Sequence, residues 1–345
     1  MASRRRAVGG GEGAMKGCGR ARWAILAVLL AWAGPAAAQA VPARPEAGDF
    51  RMGIQPWLGY GLWHVAAAKD LFRAEGLPDV EIATFTEDRE IRQALADGRL
   101  DGASVATHTA LVLAAAGVPI RIVAVLDVSM AADAIIAGPG IAAVADLRGR
   151  AVAYEEGSTS HVLLSYALAR NDMGLADIVS VPMPALDAAT AVTVDRTPAA
   201  VTYEPYLSLA RLVDPRVKVL YTAAEDPGLI SDVFVVRDAV VQQRPGQVAA
   251  LLRAWQAAYD DYRRDMAGGR AIIARAVRAT PEGLTTAFDG VTFYSLPDNR
   301  AELTGAFVRH VIADVERAAR AAGLLRGEVD AAALIDPRFV AAAAP

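Results

Sequence analysis

AVAYEEGSTSHVLLSYALARN, residues 151–171, holds a strand, a turn and a helix in one pass. An apolar strand, AVAYE, runs into a turn at Gly157, and Ser158 then stands where an N-cap belongs, before a helix over 159–171. A strand that hands over to a capped helix leaves free backbone N–H groups pointing beyond the strand end, which is a ready seat for a ligand. The chain builds similar corners at GIQPWLGYGLW (53–63) and GASVATHTALVL (102–113). Three such corners imply a shared cleft.

Working outward, the alternation of apolar strands and amphipathic helices from 50 to 235 predicts an α/β fold with mostly parallel pairing. Strands are expected at 50–55, 79–85, 101–105, 120–127, 133–138, 177–182 and 199–203. Helices are expected at 61–74, 88–97, 108–116 and from Leu186. LADGRLDGASVATHT (95–109) and VDRTPAAVTYEP (194–205) echo one another, which points to two similar lobes. DVFVVR (232–237) reads as a return strand, RPGQVAALLRAWQAAYDDYRRD (244–265) as a long helix, and the remainder as a mostly helical tail packed on the first lobe. Two strands near 133–137 and 232–236 would form the hinge. The expected division is 49–135 with 232–340 as one discontinuous lobe and 136–231 as the other.

With 345 residues, 54% hydrophobic and 21% charged, the chain can bury two moderate cores. Basic stripes and aromatic-and-Arg clusters are missing from the sequence, so nucleic acid is not an expected partner. The start reads as an address: Lys16, Arg20 and Arg22 flank the apolar run WAILAVLLAWAG (23–34), and PAAAQA supplies small residues for cleavage after Ala40, with Ala38 second. That run is shorter than the roughly 20 apolar residues of a membrane span, so no stable membrane insertion is expected. Met15 gives a tidier signal than Met1. Cys18, the single cysteine, precedes the apolar run, so a lipid-modified cysteine is not expected and the exported chain would have no thiol. Export would remove six basic residues and Glu12, leaving 29 basic against 38 acidic residues, a net charge of −9. Residues 41–48, VPARPEAG, read as a short linker.

GIQPWLGYGLWHVAAAKDLFRAEGL, ALADGRLDGASV, DLRGRAVAYEEGSTSHVLL and VTYEPYL together resemble the periplasmic substrate-binding proteins of ABC importers, in the branch that takes up nitrate, aliphatic sulfonates, taurine and thiamine-pyrimidine precursors. The likeness covers roughly 50–235. It implies a type II two-lobe clamp with a two-strand hinge, periplasmic and monomeric, that closes on a small molecule and delivers it to the permease and ATPase subunits of an importer. One departure is Arg196-Thr197-Pro198-Ala199, where the family has a Gly-x-x-Asp-Ala type of step.

In the cleft, Ser158, Thr159 and Ser160 put hydroxyls beside a helix N-terminus, which favours anions; Ser158 could equally be only a cap. Trp57, Tyr60 and Trp63, three apart, suit aromatic walls or core. Thr107 and His108 follow the third strand in the same manner. Asp133, Glu155, Glu156 and Glu204 lie at strand ends, while Lys69 and Lys218 are the lysines left after export. Several carboxylates in a pocket prefer a cationic amine or a hydrogen-bonding heterocycle. The expected ligand contacts are therefore Trp57, Tyr60, Thr107, His108, Asp133, Glu156, Ser158, Thr159, Ser160 and Glu204, for a sulfonate or taurine-like solute, an amine or a pyrimidine.

Enzyme activity and a cofactor are not expected, because EGSTSH is not a G-x-S-x-G elbow and H-E-x-x-H does not occur. Two alternatives stay open. His64, His108 and His161 each fall near a cleft-facing corner, as a metal carrier would need. The resemblance also extends to pyrimidine-precursor synthases, which carry no export signal.

Overall fold

A computed structural model of the chain describes residues 40–343; the expected export segment, with Cys18 and the choice between Met1 and Met15, lies outside them. The strands among the described residues are β1 (Phe50–Ile54), β2 (Val80–Thr84), β3 (Gly102–Ala106), β4 (Ile120–Ser129), β5 (Asp133–Ala137), β6 (Ala151–Tyr154), β7 (Val179–Pro182), β8 (Ala199–Tyr203), β9 (Lys218–Thr222), β10 (Ser231–Arg237) and β11 (Val291–Phe293). They form two sheets, ordered β11-β4-β10-β3-β1-β2 and β7-β6-β8-β5-β9.

The sheets repeat one plan. In each, a first strand (β1 or β6) lies parallel to its two neighbours, and an antiparallel strand then enters from the other half of the molecule, β10 in the first sheet and β5 in the second. That entry explains a difference from expectation: pairing is mixed rather than mostly parallel, because each returning strand runs against its neighbours on both sides. The chain crosses between sheets twice, at 130–132 and at 223–230. The 133–137 and 232–236 strands therefore do not form the crossings themselves; β5 lies wholly in the second sheet and β10 wholly in the first.

Burial follows the pattern of each strand. DAIIA of β5 is buried throughout, with Ile135 and Ala137 in one cluster and Ala134 and Ile136 in the other, as expected for a central strand covered on both faces. The first sheet carries the larger core. Trp63 is fully buried there, 4.7 Å from the ring of Trp255 and donating to Ser104 Oγ at 2.9 Å, so it is a core residue and no part of a cleft. Trp255 comes from the Pro245–Arg264 helix, and the tail packs on this core as expected.

Two local expectations change. The helix over 61–74 breaks into Gly61–Ala68 and Leu71–Ala74, because Asp70 between them takes a left-handed φ of 55°. The 41–48 segment is docked rather than free: the Glu46 carboxylate accepts from Gly246 N–H (3.1 Å) and Gln247 N–H (2.9 Å) at the start of the Pro245–Arg264 helix. An acid placed on a helix N-terminus satisfies otherwise unpaired donors and meets the positive end of the helix dipole.

Candidate functional site

The carboxyl ends of β1, β3, β6 and β8 and the starting ends of β5 and β10 converge on a narrow crevice. Strand ends at a topological switch point are where α/β sheets place ligands. The first half contributes Gln55, Trp57 and Tyr60 after β1, Asp88, Ala106 at the end of β3 and Asp232 at the head of β10. The second contributes Asp133 at the head of β5, Ser158 and Thr159 after β6, and Tyr203 at the end of β8, with Ile230 from a crossing.

The first-half wall is paired with itself. Trp57 Nε1 donates to Asp127 Oδ1 at 3.0 Å, and the Tyr60 hydroxyl donates to Asp232 Oδ1 at 2.7 Å. Asp127 packs over Gly59, where a Cβ would stand 2.2 Å from its carboxylate; the turn admits the carboxylate because residue 59 has no side chain. Burial pushes both carboxyls above the usual range, Asp127 further through the neighbouring charge of Asp232, while the Tyr60 and Trp57 donors ease Asp232 back. Two close carboxyls in a dry site cannot both ionise cheaply. Burial and Asp232 likewise keep the Tyr60 phenol protonated.

Opposite, Gly157 takes a φ of 90° and turns the chain into the Thr159–Ala169 helix. Ser158 is its cap: Ser158 Oγ accepts from Ser160 N–H at 3.1 Å and donates to Glu155 O at 2.9 Å. Asp133 N–H donates to Ser129 Oγ at 3.1 Å, and burial pushes the Asp133 carboxyl up to about 7. Tyr203 stands edge-on to Trp57, with ring centroids 5.9 Å apart. Its hydroxyl has no hydrogen-bond partner, although the residue is only 5% exposed.

A clasp joins the two walls. Asp88 N–H donates to Glu155 Oε1 at 2.8 Å, and His108 Nε2 lies 3.3 Å from Gly157 O. Asp88 is held from behind by the Thr109 hydroxyl (2.9 Å) and by Arg92 (2.8 Å). Burial raises the Glu155 carboxyl to about 7, opposed by the Asp88 N–H and aided by the charges of Asp88 and Glu87. His108 is pushed down by burial and so stays neutral.

Of the contacts expected from sequence, Trp57, Tyr60, Asp133, Ser158 and Thr159 line the crevice. The others do not. Thr107 lies one step behind, its hydroxyl within 3.0 Å of Ser231 O and 2.8 Å of Ser231 Oγ, tying the helix start to β10. His108 serves the clasp, Ser160 is buried in its helix, and Glu156 is exposed. The Glu204 carboxylate is taken by Ser208 N–H (3.1 Å) and the Ser208 hydroxyl (2.9 Å), so it caps the following helix. Gln55, Asp88, Ala106, Tyr203, Ile230 and Asp232 went unread. One signal was present: an aspartate stands at the head of each returning strand, first in β5 (DAIIA) and second in β10 (SDVFVVR). No group of three or more His, Cys, Asp or Glu among the described residues is placed to hold a metal, so His64, His108 and His161 do not assemble. His161 Nδ1 instead accepts from Gly157 N–H at 3.2 Å.

A family model described as NMT1/THI5 like matches residues 61–265. A protein of Brucella abortus named "Putative binding protein" is 27% identical over 209 residues, 60% of this chain and 64% of its own; this chain thus spans under two thirds of that relative. Among solved structures, the alkanesulfonate-binding protein SsuA of Xanthomonas axonopodis pv. citri, bound to MOPS, superposes with a TM-score of 0.68 at 20% identity, covering 86% of this chain and 99% of that one. The periplasmic nitrate-binding protein NrtA of Synechocystis PCC 6803 does so with a TM-score of 0.60 at 17% identity, covering 82% and 92%. At these identities the likeness is one of fold, the periplasmic-binding-protein fold.

Proposed function

The chain belongs to the NMT1/THI5-like family, and we propose that it is the periplasmic solute-binding component of an ABC importer, capturing a small organic solute and handing it to a membrane permease and its ATPase. The observation that carries this reading is the crevice itself. It lies between two sheets joined by two chain crossings, and its polar and aromatic groups come from both sides. A solute touching both walls binds the closed arrangement better than an open one, which is the differential affinity that closure requires. In this reading residues 40–129 and 231–343 form one lobe, 133–222 the other, and the protein works as a monomer without bond chemistry. Among the described residues no helix is long and apolar enough to cross a membrane.

The ligand classes open to it are a sulfonate or taurine-like solute, an amine, or a pyrimidine. Thermal melting of the exported protein with taurine, methanesulfonate, nitrate, benzylamine and 4-aminopyrimidine tests the reading. At least one class should raise the midpoint; a ligand at 100 times its dissociation constant stabilises by about 2.7 kcal/mol. A chelator should change nothing, and the solute should be recovered unaltered. Midpoints indifferent to every solute, or turnover of any of them, would overturn it.

A further inference from the structure

The crevice holds more acceptors than donors. Asp88, Asp133 and Asp232 line it, Asp127 stands against Asp232, and none of the lining side chains among the described residues is a lysine, arginine or histidine. Asp88 already has its cation, with Arg92 Nε at 2.8 Å. Asp232 and Asp127 take donors from Tyr60 and Trp57. Asp133 has hydroxyl donors, from Ser129 and Thr159, but no cation, and it faces the carboxylates of Asp232 and Glu204. Beside it, the Tyr203 hydroxyl is buried and unpartnered, an independent sign that a polar group of the protein awaits one from a guest.

The helix start at Thr159, which as sequence looked like an anion seat, has Asp133 next to it. A sulfonate or nitrate placed there at a pH above about 7 would meet the ionised Asp133 in a dry site, while Arg92, beside Gly157, is already paired with Asp88, a severe penalty. A cation meets the reverse: carboxylates to accept its N–H groups, and three aromatic rings whose faces attract positive charge.

We propose, on the premise that the protein binds a solute here, that the crevice selects a small organic cation bearing N–H donors, an amine or amidine, with its charged end on Asp133 and Asp232 and its body against Trp57, Tyr60 and Tyr203. The need for N–H donors sets it apart from a quaternary ammonium, which satisfies charge but leaves the carboxylate oxygens without hydrogen bonds.

Calorimetric titration of the exported protein at pH 8 with benzamidine, benzylamine, methanesulfonate and nitrate tests the charge assignment, in the wild type and in Asp133→Asn. Benzamidine or benzylamine should bind at least tenfold tighter than either anion, and Asp133→Asn should weaken that binding at least tenfold. Tyr203→Phe, which deletes a single unpartnered hydroxyl, should weaken it several-fold and guards against a misfolded Asp133→Asn. Tighter binding of methanesulfonate or nitrate, or an amine affinity unmoved in both variants, overturns the inference while the solute-binding reading stands. A protein that responds to no solute of any charge overturns both.

Discussion

On the first-sheet side of the crevice, Trp57 and Tyr60 each donate to a carboxylate of their own half, whereas on the second-sheet side the Tyr203 hydroxyl meets no partner and Asp133 has no cation. Both walls rest on the same strand order, so the difference lies in the side chains. On the first wall the aromatic donors are already spent on carboxylates before a ligand arrives, with only Asp127 Oδ2 of that pairing left buried and unpartnered, and these hydrogen bonds contribute to the stability of the protein. The second keeps polar groups unsatisfied at a cost to stability, and a ligand can recover that cost on binding. A prearranged platform facing an unsatisfied clamp is how a fold makes closure depend on its guest.

The largest effect that tests this contrast is expected from Trp57→Ala. The substitution deletes a buried ring and leaves Asp127 without its donor, so unfolding in urea should show a loss of about 3–5 kcal/mol. Thr159→Ala, on the other wall, removes a small part-buried hydroxyl and should cost far less. Equal costs would erase the asymmetry.

A sharper comparison uses two tyrosines that lose the same atom. Tyr60→Phe strips a donor from a buried carboxylate and should destabilise the ligand-free protein by about 1–3 kcal/mol. Tyr203→Phe strips a hydroxyl that nothing uses, so its stability should stay within about 0.5 kcal/mol of wild type. Measured side by side by urea unfolding, matching losses would mean that Tyr203 is paired in solution and the second wall is not waiting.

This asymmetry also marks what could be read from the sequence. The strand-to-helix corners after β1, β3 and β6 were legible because short, nearly continuous apolar runs that break at small or polar residues before a helical pattern leave few alternatives. The aromatic pair Trp57 and Tyr60 and the cap Ser158 followed from those corners. Three-residue β11 and the half-exposed edge strand β9 carry too little pattern to be seen. At the end of β8, Glu204 looked like the contact and Tyr203 was passed over: Tyr203 is the last residue of the strand and lines the crevice, whereas Glu204 already belongs to the turn, where Ser208 takes its carboxylate. Asp88 and Asp232 were missed for another reason: they reach the crevice from the first residue of the Asp88–Ala96 helix and from a returning strand, and only tertiary packing brings them there.

A difference that appears only with pH is expected at the clasp, where the second half reaches into the first. Glu155 accepts the Asp88 N–H with one oxygen, and its other oxygen is buried without a partner. Its carboxyl is raised from 4.5 to about 7, chiefly by burial. A raised carboxyl favours folding in its neutral form, so its contribution is complete below about 4.5 and is lost as pH climbs through about 7. Glu155→Gln keeps an oxygen for the Asp88 N–H and cannot ionise. At pH 5 the variant should match wild type to within about 1 kcal/mol, the scale of one neutral hydrogen bond. At pH 8 it should be the more stable of the two, measured by urea midpoints without ligand. Some slope with pH should persist in the variant, because Asp133 is raised to about 7 on its own account. If wild type and variant keep the same gap at both pH values, Glu155 is solvated and the halves are not clasped there; if the gap opens with pH, the second wall is strained at its rim as well as at its floor.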